Sequence, residues 1–516
     1  MGTRKTLHRD DLDAVVDSNI LSLTGDLGLQ RIRAAKLNPY SEGLLLPWVR
    51  VAASAAYPVC IVGAGPSGLT VAHELESRGV PTVIYDSNVE VGGKCQSYYD
   101  DPETRSTYHA MGALIFTNLT YSNTLPLILE AGLPLSPALS PGPSANWSYW
   151  QYSPGTDAGQ NLNVTQTALP TLPEDAAIAL EVAAYTTLWL TEFQPQYTES
   201  RYPNGVPTEL TVPMSEWLAS KGFQFLPVFV EEGLVYEGYG DFSQTPALYA
   251  LQFLTPEILT YYIGTTPGYF VDFHKLWLWY AERSVSGPIY SSTNVTKIDR
   301  SAENPVVTYI SAGNRSSNTQ TCSSVVLAFP PTTRALEATG LDFTTDEASL
   351  FADVGVTAYW ATAFNMSELP YPYAFLKNPP LPDFGPLAML RYFNDSPIAT
   401  AYSFGTSPYN ESTSDSDEQV IELLLQAATD LGAGIANIKV GGVTTANTVT
   451  ADDIKLFTRQ DHFPHVLTDA LAGGFYKKYN ALQGKKNTYW TSGLNRFENV
   501  ESAILSAKDL VANVMF

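Results

Sequence analysis

The stretch Val59-Cys60-Ile61-Val62-Gly63-Ala64-Gly65-Pro66-Ser67-Gly68 decides the fold. Its first four residues form a continuous apolar run, the pattern of a strand buried on both faces of a parallel sheet. A G-x-G-x-x-G turn follows, then a helical stretch from about Ser67 to Arg78 with Gly79 at its C′ position. Thr82-Val83-Ile84-Tyr85 reads as a second strand ending at Asp86, which completes a β-α-β unit of about thirty residues. Each residue has a physical task. Gly63 permits the tight turn, Gly65 lets backbone approach a pyrophosphate, and Gly68 lets helix and strand pack closely. Pro66 and Ser67 open the helix, whose free N–H groups and positive dipole end face the phosphates. Asp86 stands 23 residues after Gly63, where a carboxylate can hydrogen-bond a ribose hydroxyl. The unit therefore predicts a dinucleotide cofactor.

Outward from it, composition bounds the rest. The chain has 516 residues, enough for two or three domains, and is 45% hydrophobic and 12% aromatic, so large cores are expected and disorder is not. Lys and Arg number 29 against 52 Asp and Glu, a net charge of −23 that repels nucleic acid and anionic lipid. No apolar run approaches the roughly 20 residues of a membrane span. Three cysteines allow at most one bridge, and no C-x-x-C pair suggests zinc. Cys60 and Cys322 read as core thiols in or beside predicted strands, and Cys95 as a small buried thiol. His462 and His465 flank Pro464, which disfavours a metal-binding helix, and no metal site is predicted. Eight Asn-x-Ser/Thr sequons, at Asn118, Asn146, Asn163, Asn294, Asn314, Asn365, Asn394 and Asn410, together with the acidity, suggest a secreted glycoprotein, although no signal peptide opens the chain as given.

Further along, Ser323 to Ala328 reads as another buried strand that stops at Pro330-Pro331. Asn294 to Ile298 and Val306 to Ile310 are strand-like, Lys275 to Ser284 is an aromatic helix, Glu418 to Leu431 is an amphipathic helix, and Asn499 to Val514 is a final helix.

Glu90-Val91-Gly92-Gly93-Lys94-Cys95 places a second glycine pair just past the acidic strand end. This resembles flavoproteins related to glutathione reductase, and the run from Val59 to Cys95 resembles the start of the flavin-containing amine oxidase superfamily. The strand around Val295, the segment Val325 to Pro331, and the stretches Leu482 to Gly493 and Phe497 to Glu501 are similar to later segments of that superfamily. Tyr236-Glu237-Gly238-Tyr239-Gly240, Pro246-Ala247-Leu248-Tyr249 and Phe463-Pro464-His465 resemble the branch with β-cyclopiazonate dehydrogenase-like proteins and FAD-dependent polyunsaturated fatty acid isomerases.

The resemblance implies an α/β fold: a discontinuous Rossmann-like FAD-binding domain (56–120, 275–340 and 465–516) with an inserted α+β substrate domain (121–274 and 341–464), preceded by an extension over 1–55. It implies FAD as cofactor, held by Gly63, Gly65, Pro66, Ser67, Gly68, Asp86, Gly92, Gly93, Lys94, Gly112, Ala113, Val295, Gly493 and Val500. Val295 would meet the adenine, Lys94 would offset phosphate charge, and Gly493 and Val500 would lie against the flavin's N1/O2 edge. Tyr489 and Trp490 would wall the substrate pocket, and His109 and Arg391 are candidates for base or substrate contact. Relatives usually carry Gly-Glu where this chain has Ser492-Gly493, and Glu498 is a candidate substitute. The expected activity is hydride transfer from a small, largely apolar organic substrate, with dioxygen or another acceptor. A redox-neutral double-bond isomerase of a fatty-acid-like substrate and a non-catalytic flavin-binding protein are the alternatives.

Overall fold

The computed structural model describes residues 57–138, 148–153, 163–167, 176–313, 316–366, 373–377, 386–393, 395–405, 417–438 and 448–516. The extension read over 1–55 lies outside the described residues. Two sheets organise the rest.

The first is a five-stranded, all-parallel sheet in the order Ile289–Tyr290, Thr82–Tyr85, Val59–Val62, Ser324–Leu327, Thr488–Trp490. The three central strands are buried at every position, which is why their sequences are continuous apolar runs rather than alternating ones. Its members lie more than 400 residues apart along the chain, so the sheet is assembled from pieces scattered over nearly the whole described length. The helix Pro66–Glu76 packs on it beside the C-terminal helix Val500–Leu510.

The second sheet has seven strands in the order Ile454–His465, Gly355–Asn365, Ile398–Phe404, Pro386–Arg391, Tyr373–Lys377, Ser148–Ser153, Asn163–Thr167. All pairings are antiparallel except that of Tyr373–Lys377 with Ser148–Ser153. Its two faces do different work. Trp150, Phe375, Met389 and Ala401 pack with Leu424, Ala428 and Leu431 of the helix Asp417–Ile438. The alternate residues, such as Tyr149, Ala388, Leu390 and Tyr402, turn the other way, toward a cavity. A three-stranded antiparallel meander, Thr293–Asp299, Val306–Ser311 and Asn318–Thr321, follows the first sheet's edge strand. Arg300, whose side chain is fully buried, ties this meander to the helix Thr345–Phe351, with Nε 2.6 Å from Asp342 and its terminal nitrogens 2.7 and 2.9 Å from Glu347.

One expectation is corrected at the centre of the parallel sheet. Cys60 and Cys322 are not separate core thiols; they form a disulfide across 262 residues, with Cα atoms 5.7 Å apart. Cys60 pairs in register with Val325, and Cys322 lies just before that strand, so the sheet itself brings the two sulfurs together. Cys95 stays a free, buried thiol, which burial pushes up to about 12. The disulfide links the first strand of the cofactor unit to the fourth segment of the sheet. Replacing both cysteines (C60A/C322A) should therefore lower unfolding stability by about 2–4 kcal/mol in a denaturant titration. A non-reducing peptide map should show the two peptides linked in the parent protein. Unlinked peptides, or an unchanged unfolding midpoint, would contradict the assignment.

Candidate functional site

The residues that follow four of the parallel strands meet at one place. Gly63 follows Val62, Asp86 follows Tyr85, Ala328 follows Leu327, and Ser492 comes two residues after Trp490; all four line a single cavity of about 1050 Å³. A crevice outside the carboxyl ends of parallel strands is where open α/β sheets bind ligands.

Backbone packing shapes its near half. Gly63 has φ +109°, and a Cβ there would come within 2.7 Å of the Ala328 carbonyl oxygen. A Cβ at Gly68 would overlap the Gly63 carbonyl, so the helix reaches the turn only because position 68 is bare. A Cβ at Gly93 would lie 2.9 Å from the Gly65 Cα, which sets the second glycine pair directly against the first loop. Gly112 passes so close to the Lys94 carbonyl that any side chain would collide. The helix Pro66–Glu76 has no side-chain cap, and its first residues, Pro66 and Ser67, line the cavity. The helix Val500–Leu510 enters from the other side, with Val500 and Ala503 on the wall. The end of Pro66–Glu76 suits an anionic diphosphate, and the end of Val500–Leu510 suits negative charge elsewhere on the same ligand. Asp86 is almost fully buried. Its carboxylate accepts from the Ala64 amide at 2.5 Å and the Asn88 amide at 2.7 Å. Burial raises its pKa, and those amides pull it back. These features fit a dinucleotide: bare backbone at the turn, a helix end for the phosphates with a second facing the same cleft, and an oriented carboxylate for a ribose.

Of the cofactor residues expected from sequence, Gly63, Gly65, Pro66, Ser67, Asp86, Gly93, Lys94, Gly112, Ala113, Val295, Gly493 and Val500 lie on the cavity wall. Gly68 lies behind it, in the packing role just described. Gly92 also lies off the wall, with φ +118°, turned toward His274 and Trp277. Lys94 is on the wall, but its ammonium pairs with Glu498, so its charge is already met within the protein. The Glu498 carboxylate fills the space a side chain at Gly493 would take. A carboxylate thus stands beside residue 493 although the residue itself is a glycine.

The four proposed catalytic residues are placed elsewhere. Trp490 is fully buried in the edge strand of the parallel sheet, 5.4 Å from the Phe351 ring, and Tyr489 packs near Gly484. The cavity begins beyond the strand's end, at Ser492, so neither ring reaches it. His109 is fully buried, with Nε2 between Asp100 Oδ1 at 3.1 Å and Ser396 Oγ at 3.0 Å. Burial pushes its imidazole down to about 4 against the pull of Asp100. Arg391 donates from Nε to the Ser396 carbonyl at 2.9 Å and stands one residue past Leu390, which does face the cavity. Strand alternation puts Leu390 on the wall and Arg391 off it.

The far half of the cavity was not anticipated. It is a chamber of Tyr149, Tyr236, Tyr239, Tyr261, Tyr262, Tyr359 and Tyr402 with Phe229, Leu376 and Leu390, and it contains Glu237 and His462. His462 stacks on Tyr239 with ring centroids 5.2 Å apart, and lies 4.9 Å from the Tyr359 ring. Burial, and then the nearby Lys94 charge, hold its imidazole down to about 3. The segment Tyr236-Glu237-Gly238-Tyr239-Gly240 carried the signal, a carboxyl set among tyrosines and glycines. Among the described residues no group of three or more His, Cys, Asp or Glu is arranged to hold a metal, and no helix is long and apolar enough to cross a membrane.

Comparison with known proteins agrees with this geometry. The flavin containing amine oxidoreductase pattern matches residues 66–359, more than half of the chain. The chain belongs to that family. It is an FAD-dependent enzyme of the amine oxidase superfamily, acting on a small molecule, which sets aside the non-catalytic alternative. An uncharacterized protein of Acanthamoeba polyphaga mimivirus is 24% identical over 489 residues, covering 89% of this chain and 93% of that protein. The FAD-dependent oxidoreductase dpchF of Colletotrichum higginsianum is 24% identical over 465 residues, covering 84% and 88%. Among solved structures, the CLA-producing fatty acid isomerase from P. acnes shares the fold with a TM-score of 0.69 at 20% identity, covering 89% of this chain and 99% of that one.

Two substitutions separate the wall from its surroundings. Gly112→Ala should reduce the flavin-to-protein absorbance ratio at least about tenfold, because its Cβ displaces the Lys94 backbone from the cavity. Tyr489→Phe should leave that ratio and the turnover rate within about twofold of the parent, as expected of a residue off the wall. A Tyr489→Phe variant with turnover lowered a hundredfold at full flavin content would return that side chain to the site.

Proposed function

We propose that this flavoenzyme removes hydrogen from a small, largely apolar organic molecule held in the tyrosine-lined half of the cavity. The observation that carries the reading is the continuity of one cavity. Its glycine and helix-terminus half suits the dinucleotide, and its aromatic half suits an apolar guest. When bound, FAD supplies the hydride-accepting centre at flavin N5, with dioxygen or another acceptor restoring it. Gly63, Gly65, Gly93 and the N-terminus of Pro66–Glu76 would hold the phosphates, Asp86 the ribose and Val295 the adenine. Gly112, Ala113, Gly493 and Val500, with the N-terminus of the helix that Val500 opens, would hold the flavin end. The chamber's tyrosines exclude water and orient the guest by ring contact, while Glu237 supplies its carboxyl group. A redox-neutral double-bond shift is a second reading, supported by the likeness in fold to a fatty acid isomerase.

We further infer that the protein matures in the secretory pathway as a glycoprotein. The Cys60–Cys322 disulfide supports this, since such bonds persist in oxidising compartments, and so do the sequons. A glycosidase-sensitive mass on the protein from its native source would agree, and an unmodified mass with reduced cysteines would not.

The activity is tested by the visible spectrum of the purified protein and then by anaerobic mixing with a panel of apolar alcohols, amines and alkenes. Flavin bands that bleach once, and recover only when air is admitted, are expected for the oxidoreductase. Continued anaerobic turnover with the bands intact would support the isomerase instead. Absence of flavin bands would sink both.

A further inference from the structure

Among the described residues the tyrosine chamber contains one carboxyl group, that of Glu237, one residue past the end of the helix Leu226–Tyr236. Tyr262 donates its hydroxyl proton to Glu237 Oε1 at 3.1 Å, and among the described residues no second donor reaches the carboxyl. Burial raises its pKa, and the Tyr262 hydroxyl pulls it back. Six wall tyrosines sense this group. The phenols of Tyr121, Tyr239, Tyr261, Tyr262, Tyr359 and Tyr402 are raised first by burial and then, among other charges, by Glu237.

Among the described residues the wall offers no free cation to balance it. Lys94 is paired with Glu498. Arg459 lies over the Trp360 ring, 5.5 Å from its centroid, and 4.0 Å from Asp417. His462 is held neutral by its burial.

We propose that Glu237 sets the charge selectivity of the chamber, so that the part of a substrate entering it is neutral or cationic and a carboxylate is excluded. This rests on the reading of the chamber as the substrate site. An entering carboxylate would lose its water, find no free cation among the described residues, and sit beside a second carboxyl group. Ionised together in a dry site, the two carboxylates repel each other with little screening. A hydroxyl or an amine instead finds an acceptor in Glu237, and a cation also finds the tyrosine faces. A fatty-acid-like substrate could react here only with its carboxylate outside the chamber.

The test is calorimetric titration of the FAD-loaded protein with octanoate, octanol and octylamine. The three share a chain and differ in charge near neutral pH. Octanol and octylamine should bind, and octanoate should bind at least about tenfold more weakly than octanol. In Glu237→Gln, with an unchanged flavin spectrum, the gap between octanoate and octanol should shrink to about threefold or less. Glu237→Asp, which keeps the charge, should keep the parent's rejection of octanoate. If the parent binds octanoate as tightly as octanol, or Glu237→Gln leaves the ratio unchanged, the selectivity claim is overturned while the chamber remains the substrate site. If neither octanol nor octylamine binds a flavin-loaded protein, the substrate reading falls and takes this proposal with it. Should Glu237→Gln fail to fold, the parent ratio decides the question alone.

Discussion

Backbone lying on backbone without side chains between is the constraint on which the rest of the site depends. The turn at Gly63 presses on Ala328, the helix at Gly68 presses on the Gly63 carbonyl, and the loop at Gly93 presses on Gly65. Each approach is closer than a Cβ allows. Together they bring the ends of the parallel strands and two helix N-termini around one crevice. The contrast with net charge follows from this. A chain carrying −23 would bind an anionic dinucleotide through fixed N–H groups and helix ends, and its wall lysine, Lys94, is committed to Glu498.

The second sheet is an extension of the same logic by different means. Its strands alternate, and alternation divides one set of side chains between a helix-covered core and the chamber. The result is a cavity with two characters, bare backbone at one end and phenol rings at the other. Charge is sparse among the described residues of the second half, so the carboxyl of Glu237 weighs heavily there. In a dry aromatic chamber, a buried carboxyl group would weigh on which guests enter at tolerable cost.

The cofactor unit was legible in the sequence because its signals are local. A turn, its glycines, the following helix and the acid at the next strand's end lie within about thirty residues, and each residue type is dictated by its neighbours. The substrate chamber was not legible, because no local rule says which face of a strand looks into a cavity. Arg391 and Leu390 are adjacent in sequence and opposite in consequence. Tyr489 and Trp490 stand close in sequence to Ser492 and Gly493, yet the strand carries them into the core before the cavity opens. The Cys60–Cys322 bridge spans 262 residues and depends on two strands being neighbours in a sheet, a long-range fact that spacing alone does not reveal. Glu237 was visible as part of a motif, but its isolation among tyrosines from several elements appears only in three dimensions.

The account's central claim is that one cavity serves cofactor and substrate in adjoining halves. A crystal structure of the FAD-loaded protein soaked with octanol tests it most directly. The account predicts cofactor density running from Asp86 and Val295 past Gly63 and Gly65 toward Gly112 and Gly493, with octanol among the tyrosines and its hydroxyl within hydrogen-bond distance of Glu237. Octanol bound outside the tyrosine chamber, or cofactor density filling the chamber itself, would contradict it.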